Sequence, residues 1–348
     1  MKKNYKKSFV VKMLLLTLSV MFILSGCGGQ AATEEKEPVV ETPNPQETVP
    51  AEIQTFLDSY VNTSERPVAV MIDNDDKNAR PHAGLNEAYL IYEMVVEGGA
   101  TRFMALYRGT DTEKLGPVRS SRHYFLDYAL EHDAIYTHFG WSPRAERDIP
   151  ALGVNNINGV TGADAGIYWR EEKYKGDWHS AYTSIQKIRD HATKKGYKAE
   201  TQDAGSIKFA DHYIELAPEK PANTLSLNYS GRYRTGYTYN AETGLYEKSI
   251  DGAPHVMQSG EVLAVKNIIV QFVTDTDLGD GSARRNITTT GSGKGYYITG
   301  GAYEEITWSK SSRSGDTVYK RADGSELLVS PGKTIVNLFN PASTITIG

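Results

Sequence analysis

The stretch Tyr89-Leu90-Ile91-Tyr92-Glu93-Met94-Val95-Val96-Glu97, then Gly98-Gly99, then Thr101-Arg102-Phe103-Met104-Ala105-Leu106-Tyr107-Arg108, sets the architecture. Two runs of strand-forming residues flank a Gly-Gly pair, the sequence sign of a β-hairpin. With Gly98-Gly99 as a two-residue loop, Glu97 faces Ala100, Val95 faces Arg102 and Glu93 faces Met104. Alternation along the strands then puts Glu93, Glu97 and Arg102 on one face.

Upstream, Pro67-Val68-Ala69-Val70-Met71-Ile72-Asp73 reads as a buried strand. Its terminal carboxylate, Asp73, stands where ligand crevices open in α/β sheets. Downstream, Ser120 or Ser121 is expected to cap a helix reaching about Glu131, and Ala134 to Phe139 to form a strand. Ser142-Pro143 opens a second helix, with a capping serine and a proline in the first turn. Thr183 or Ser184 caps a third, which Gly196 ends. From about Thr224 the chain alternates short β-type runs with Gly, Asn and Asp turns, among them Thr224 to Tyr229, Val262 to Val273 and Thr334 to Phe339. The expected fold is α+β: a mixed α/β domain over residues 51–215 and a β-rich domain over 216–348, separate or packed as a second sheet.

The amino terminus carries an address. Lys2, Lys3, Lys6, Lys7 and Lys12 precede an apolar run from Met13 to Leu24, the layout of a secretory signal over residues 1–26. The run is too short to span a bilayer, which takes ~20 apolar residues. Residues 27–50 are rich in Glu, Pro and Thr and poor in apolar side chains, so they read as a disordered tether. The whole chain has 38 Lys and Arg against 43 Asp and Glu. Five of those lysines lie in the signal, which leaves a formal charge of −10 on the remainder. Such a surface argues against nucleic acid as a partner. Cys27 is the one cysteine, so neither a disulfide nor a cysteine metal site is expected.

The best candidate site is Leu115-Gly116-Pro117-Val118-Arg119-Ser120-Ser121-Arg122-His123. It would deliver Arg119 and Arg122 to a helix start, where Ser120 and Ser121 offer backbone N–H groups to an anion. The alternative is a structural network in which the two arginines neutralise nearby glutamates. Glu93 and Glu97 offer a carboxylate pair for glycan cleavage or, equally, a salt cluster on Arg102. His138 ends a strand beside Ser142, which is better explained as a helix cap than as a nucleophile. His123, Asp127 and Glu131 share a helix face and read as a solvated stripe rather than a metal site. Asp73, Glu93, Glu97, Arg102, Arg119, Arg122 and His138 are expected to converge on one cleft.

The runs "RPVAVMIDND", "YEMVVEGGATRFMALY" and "GPVRSSR", His138 with the following Ser142-Pro143, and a C-terminal "GSGKG…GG…TW…PGKT" resemble the YerB-like lipoproteins of Gram-positive bacteria. Leu24-Ser25-Gly26-Cys27 likewise resembles the bacterial lipobox, which implies cleavage before Cys27 and a diacylglycerol on its sulfur. The resemblance implies two domains of unknown function in the cell envelope and supplies no catalytic residues and no cofactor. Two functions remain open. One is a non-catalytic lipoprotein, anchored on the outer face of the membrane through acylated Cys27, that binds a cell-wall polymer or envelope protein through an arginine-lined anion cleft. The other is an extracytoplasmic hydrolase of wall glycan or another anionic polymer, with Glu93 and Glu97 as its carboxylates.

Overall fold

Val68–Asn74 (β1) is buried at every residue in the computed structural model, as a continuous apolar run requires of a strand covered on both faces. The structure describes residues 49–75, 77–202 and 205–348. Cys27, the signal and nearly all of the tether lie outside them. Leu90–Val95 (β2) and Thr101–Tyr107 (β3) form the expected hairpin, and β1 pairs antiparallel with β3. Ile135–His138 (β4) runs parallel to β1, and Asn156–Asn158 (β5) parallel to β4.

The hairpin register differs from expectation by one residue. Pairing stops at Val95–Thr101, and Val96 N–H closes the loop on Ala100 O at 2.8 Å. Gly98 and Gly99 sit inside this wider turn at φ of 69° and 78°, a conformation that favours glycine. Arg102 therefore faces Met94 across the hairpin and Asp73 across β1. Glu93 points to the opposite face.

The sheet does not stop at residue 215. Thr334–Phe339 lies parallel to β2, and Asn267–Phe272, Gly291–Thr299, Ala302–Lys310 and Thr317–Arg321 follow in that order. Ten strands thus form one mixed sheet. A smaller antiparallel sheet is built on Thr224–Ser230, Tyr233–Asn240 and Leu245–Ile250, with Ile345–Ile347 along one edge. The C-terminal half is strand-rich and the fold is α+β, as the sequence indicates.

Among the described residues, four α-helices flank the strands: Ala51–Tyr60 (α1), Phe125–Glu131 (α2), Pro143–Ala151 (α3) and Ile185–Lys194 (α4). Ser142 caps α3 by accepting from Ala145 N–H, and Ser184 caps α4 by accepting from Lys187 N–H. Ser120 and Ser121 cap nothing, because α2 starts only at Phe125. The backbone of 117–121 is used elsewhere. Asp73 N–H donates to Pro117 O and Arg119 N–H to Met71 O, filling the side of β1 that β4 leaves uncovered beyond Val70.

The polar face of α2 is also not solvated. His123, Asp127 and Glu131 are all buried. Glu131 pairs with Lys310 at 2.6 Å and Asp127 with Arg313 at 2.7 Å, charges supplied from the other half of the chain. A carboxylate leaves water only with such partners. Glu93, on its face of the sheet, meets Lys248 at 3.1 Å and accepts from Thr101, Tyr233 and Thr235.

Candidate functional site

Asp73 is fully buried at the end of β1 and organises the charges around it. His179 donates from Nδ1 to its Oδ2 at 2.7 Å, and Arg119 Nε lies 3.0 Å from the same oxygen. Burial pushes this carboxyl up, but the His179 hydrogen bond and the charges of Arg102 and Arg119 outweigh it and hold it at about 2. Arg102, also buried, donates to Ser120 O at 2.7 Å. Burial and the neighbouring Arg122 and Arg119 lower it to about 10. The Arg119 guanidinium reaches the surface beneath Trp178, 5.6 Å from its ring centroid.

Arg122 grips Glu97 through a two-pronged contact, Nε to Oε1 at 2.6 Å and Nη2 to Oε2 at 2.7 Å. Burial raises the Glu97 carboxyl, yet the Arg122 hydrogen bond and charge bring it below its usual range. A third donor, Arg122 Nη1, caps Ser121 O at 2.8 Å. Ser121 N–H is spent on Gly140 O, and its Oγ accepts from Tyr136. Ser120 Oγ donates to Phe139 O. The carbonyls of the two serines thus hold Arg102 and Arg122. His138 donates from Nδ1 to Gly140 O at 2.8 Å, and burial lowers its ring to about 4 in spite of that bond.

Asp73, Arg102 and Arg119 thus form one network, with Arg122 and Glu97 electrostatically coupled to it. Glu93 lies outside it, on the other face of the sheet, and its carboxylate is held by Lys248. The two glutamates therefore do not flank a shared bond, the arrangement paired-carboxylate cleavage requires.

Arg122 also borders a cavity of about 420 Å³ that sequence reasoning did not find. Five arginines line it: Arg122, Arg144, Arg147, Arg284 and Arg285. Among the described residues of the lining, Asp280 alone is acidic. Arg144 and Arg147 project from the first turns of α3. Arg284 and Arg285 come from a two-stranded hairpin, Asp275–Asp277 with Arg285–Ile287. Arg285 is engaged by Asp275, Arg284 by Asp280, and Arg144 by the Asn286 amide at 2.9 Å. His123 closes the inner wall. Its Nε2 is buried without a hydrogen bond, and burial, then Arg144, lowers the ring to about 4, so it is neutral at physiological pH. With Arg122, Arg284 and Arg285 offset by Glu97, Asp280 and Asp275, the guanidinium groups of Arg144 and Arg147 beside a neutral imidazole suit an anion. The signals were present as the i, i+3 pair in "PRAER" and the adjacent Arg284-Arg285, but nothing local says that they meet.

Comparison with known proteins gives a consistent result. The family description "Protein of unknown function (DUF3048) N-terminal domain" matches residues 57–198, and its C-terminal counterpart matches residues 225–336. A relative from Bacillus subtilis (strain 168), named "Putative lipoprotein YerB", is 31% identical over 327 residues, 92% of each chain. The crystal structure of the YerB protein from Bacillus subtilis aligns with a TM-score of 0.70 at 29% identity, covering 81% of this chain and 94% of that one.

Proposed function

Because this chain belongs to the DUF3048 family, whose two domains of unknown function it carries in order, we propose that it is an envelope lipoprotein that binds an anionic cell-wall component. Cys27 carries the lipid, residues 27–50 serve as the tether, and the folded part works on the outer face of a Gram-positive membrane. The supporting observation is the arginine-lined cavity: Arg122, Arg284 and Arg285 are paired with Glu97, Asp280 and Asp275, and Arg144 and Arg147 add cationic donors to the same lining, in a chain that is acidic beyond its signal. A wall polymer bearing phosphate or carboxylate groups would be repelled by the surface at large and held here by forked donors. Such attraction is short-ranged in physiological salt, where the Debye length is about 8 Å. Arg122, part of the lining, is held in place by its two-pronged contact with Glu97.

Calorimetric titration of the full chain in detergent with teichoic-acid fragments and with muropeptides tests this reading. Replacing Arg144 and Arg147 together with alanine removes two charge-assisted contacts, and affinity should fall roughly a hundredfold, equivalent to about 2.7 kcal/mol. Unchanged affinity in a folded double variant would remove the cavity as the site.

A further inference from the structure

A second cavity, of about 540 Å³, lies between α1 and the C-terminal half, and its chemistry is unlike that of the arginine site. We propose that it binds a neutral oligosaccharide of hexopyranose units, independently of the anion site.

Phe56, Tyr60 and Tyr213 are in its lining. α1 buries Ile53 and Leu57, which leaves Phe56 and Tyr60, one turn apart, half-exposed with ring centroids 5.0 Å apart. Tyr213, the third aromatic of the lining, is 41% exposed. Its hydroxyl donates to Glu52 Oε1 at 3.1 Å, and Lys266 Nζ sits 4.2 Å from its ring centroid, so the plane of the ring is fixed. A fixed aromatic face attracts the weakly positive C–H groups on the apolar side of a pyranose.

The polar lining is balanced in charge, with Glu52 and Glu261 against Lys266 and Lys333. No net field selects an anion or a cation. The Asn86 amide donates to Glu261 Oε2 at 2.6 Å, and Lys333 Nζ donates to Asn86 O. Carboxylates accept from sugar hydroxyls and ammonium groups donate to them, which matches a ligand carrying both functions on each ring. A purely apolar ligand would desolvate these groups without compensation. The volume lies within the ~300–1,000 Å³ typical of small-ligand sites.

The test uses the full chain in a sugar-free detergent, titrated calorimetrically with chitotetraose and with cellotetraose. At least one should bind saturably. Tyr213→Ala should weaken it at least tenfold, Tyr213→Phe less than threefold because the ring remains, and the Arg144→Ala/Arg147→Ala variant not at all. Asn86→Ala, a surface change, should weaken it if Tyr213→Ala perturbs the fold. Failure of both tetrasaccharides to bind, or full binding by folded Tyr213→Ala or Asn86→Ala, would overturn the proposal while leaving the arginine cavity untouched.

Discussion

Replacing Asp73 with asparagine removes one charge from the centre of the arginine network and almost no volume. The carboxyl sits at about 2 in the fold against 3.8 in an open chain. That difference corresponds to roughly 2.4 kcal/mol of stability. Because the folded value is depressed, this stability is present in full above pH 3.8 and is lost as pH falls towards 2, with roughly half gone at pH 3. Breaking the buried cluster by removing its anion should cost about 3–5 kcal/mol at neutral pH. For roughly 300 folded residues, 1 kcal/mol displaces the melting temperature by about 1.6 °C. Asp73→Asn should therefore melt about 5–8 °C below the parent at pH 7, and the gap should narrow by about 2 °C at pH 3, as the parent begins to lose the same charge. Thermal melts by circular dichroism across that range measure both quantities. A gap that stayed constant from pH 7 to pH 3 would refute the assignment of Asp73 as an ionised anchor.

Lys248→Met leaves Glu93 buried without its counter-charge and should cost about 3–5 kcal/mol, whereas Lys248→Met with Glu93→Gln should recover most of that loss. Chemical denaturation of the two variants checks this, and a single variant as stable as the parent would count against the pair. Cys27→Ala should abolish metabolic labelling with palmitate and release the chain from membranes; continued labelling would remove Cys27 as the lipid site.

The elements best legible in the sequence were those covered on both faces. β1 and Thr334–Phe339 are buried at every residue, so an apolar run sufficed to find them. The hairpin was equally plain, but its register was not. Loop conformation at Gly98 and Gly99 decides how many residues the turn consumes, and one residue more or less sends every side chain to the other face. That step took Arg102 off the face of Glu93, and the end of β2 at Val95 left Glu97 in the turn, outside the alternation that had paired it with Glu93. The helix start at Ser120-Ser121 misled for a related reason. Both serines carry good caps by composition, yet the edge of β1 beyond Val70 offered their segment stronger backbone partners. Arg119 and Arg122 were found because the motif is dense, whereas Arg144, Arg147, Arg284 and Arg285 were missed because their meeting depends on contacts more than a hundred residues apart.

Those long-range contacts also explain why both halves line one cavity. Glu93, Asp127 and Glu131 are buried carboxylates of the N-terminal half, and their counter-charges, Lys248, Arg313 and Lys310, all come from beyond residue 215. Cutting the chain between the halves would leave three charges in the interior without partners, a cost of several kcal/mol each. It would also break the ladder between β2 and Thr334–Phe339 and expose both as sheet edges. The hairpin carrying Arg284 and Arg285 is connected to the same C-terminal strands, and it faces α3 because the ten-stranded sheet brings it there. Arg313 strengthens that placement by bridging Asp127 on α2 and Asp148 on α3 at 2.7 Å each. The arginine cavity is thus a product of the pairing between halves, and its cationic character depends on the C-terminal strands being in register with β2.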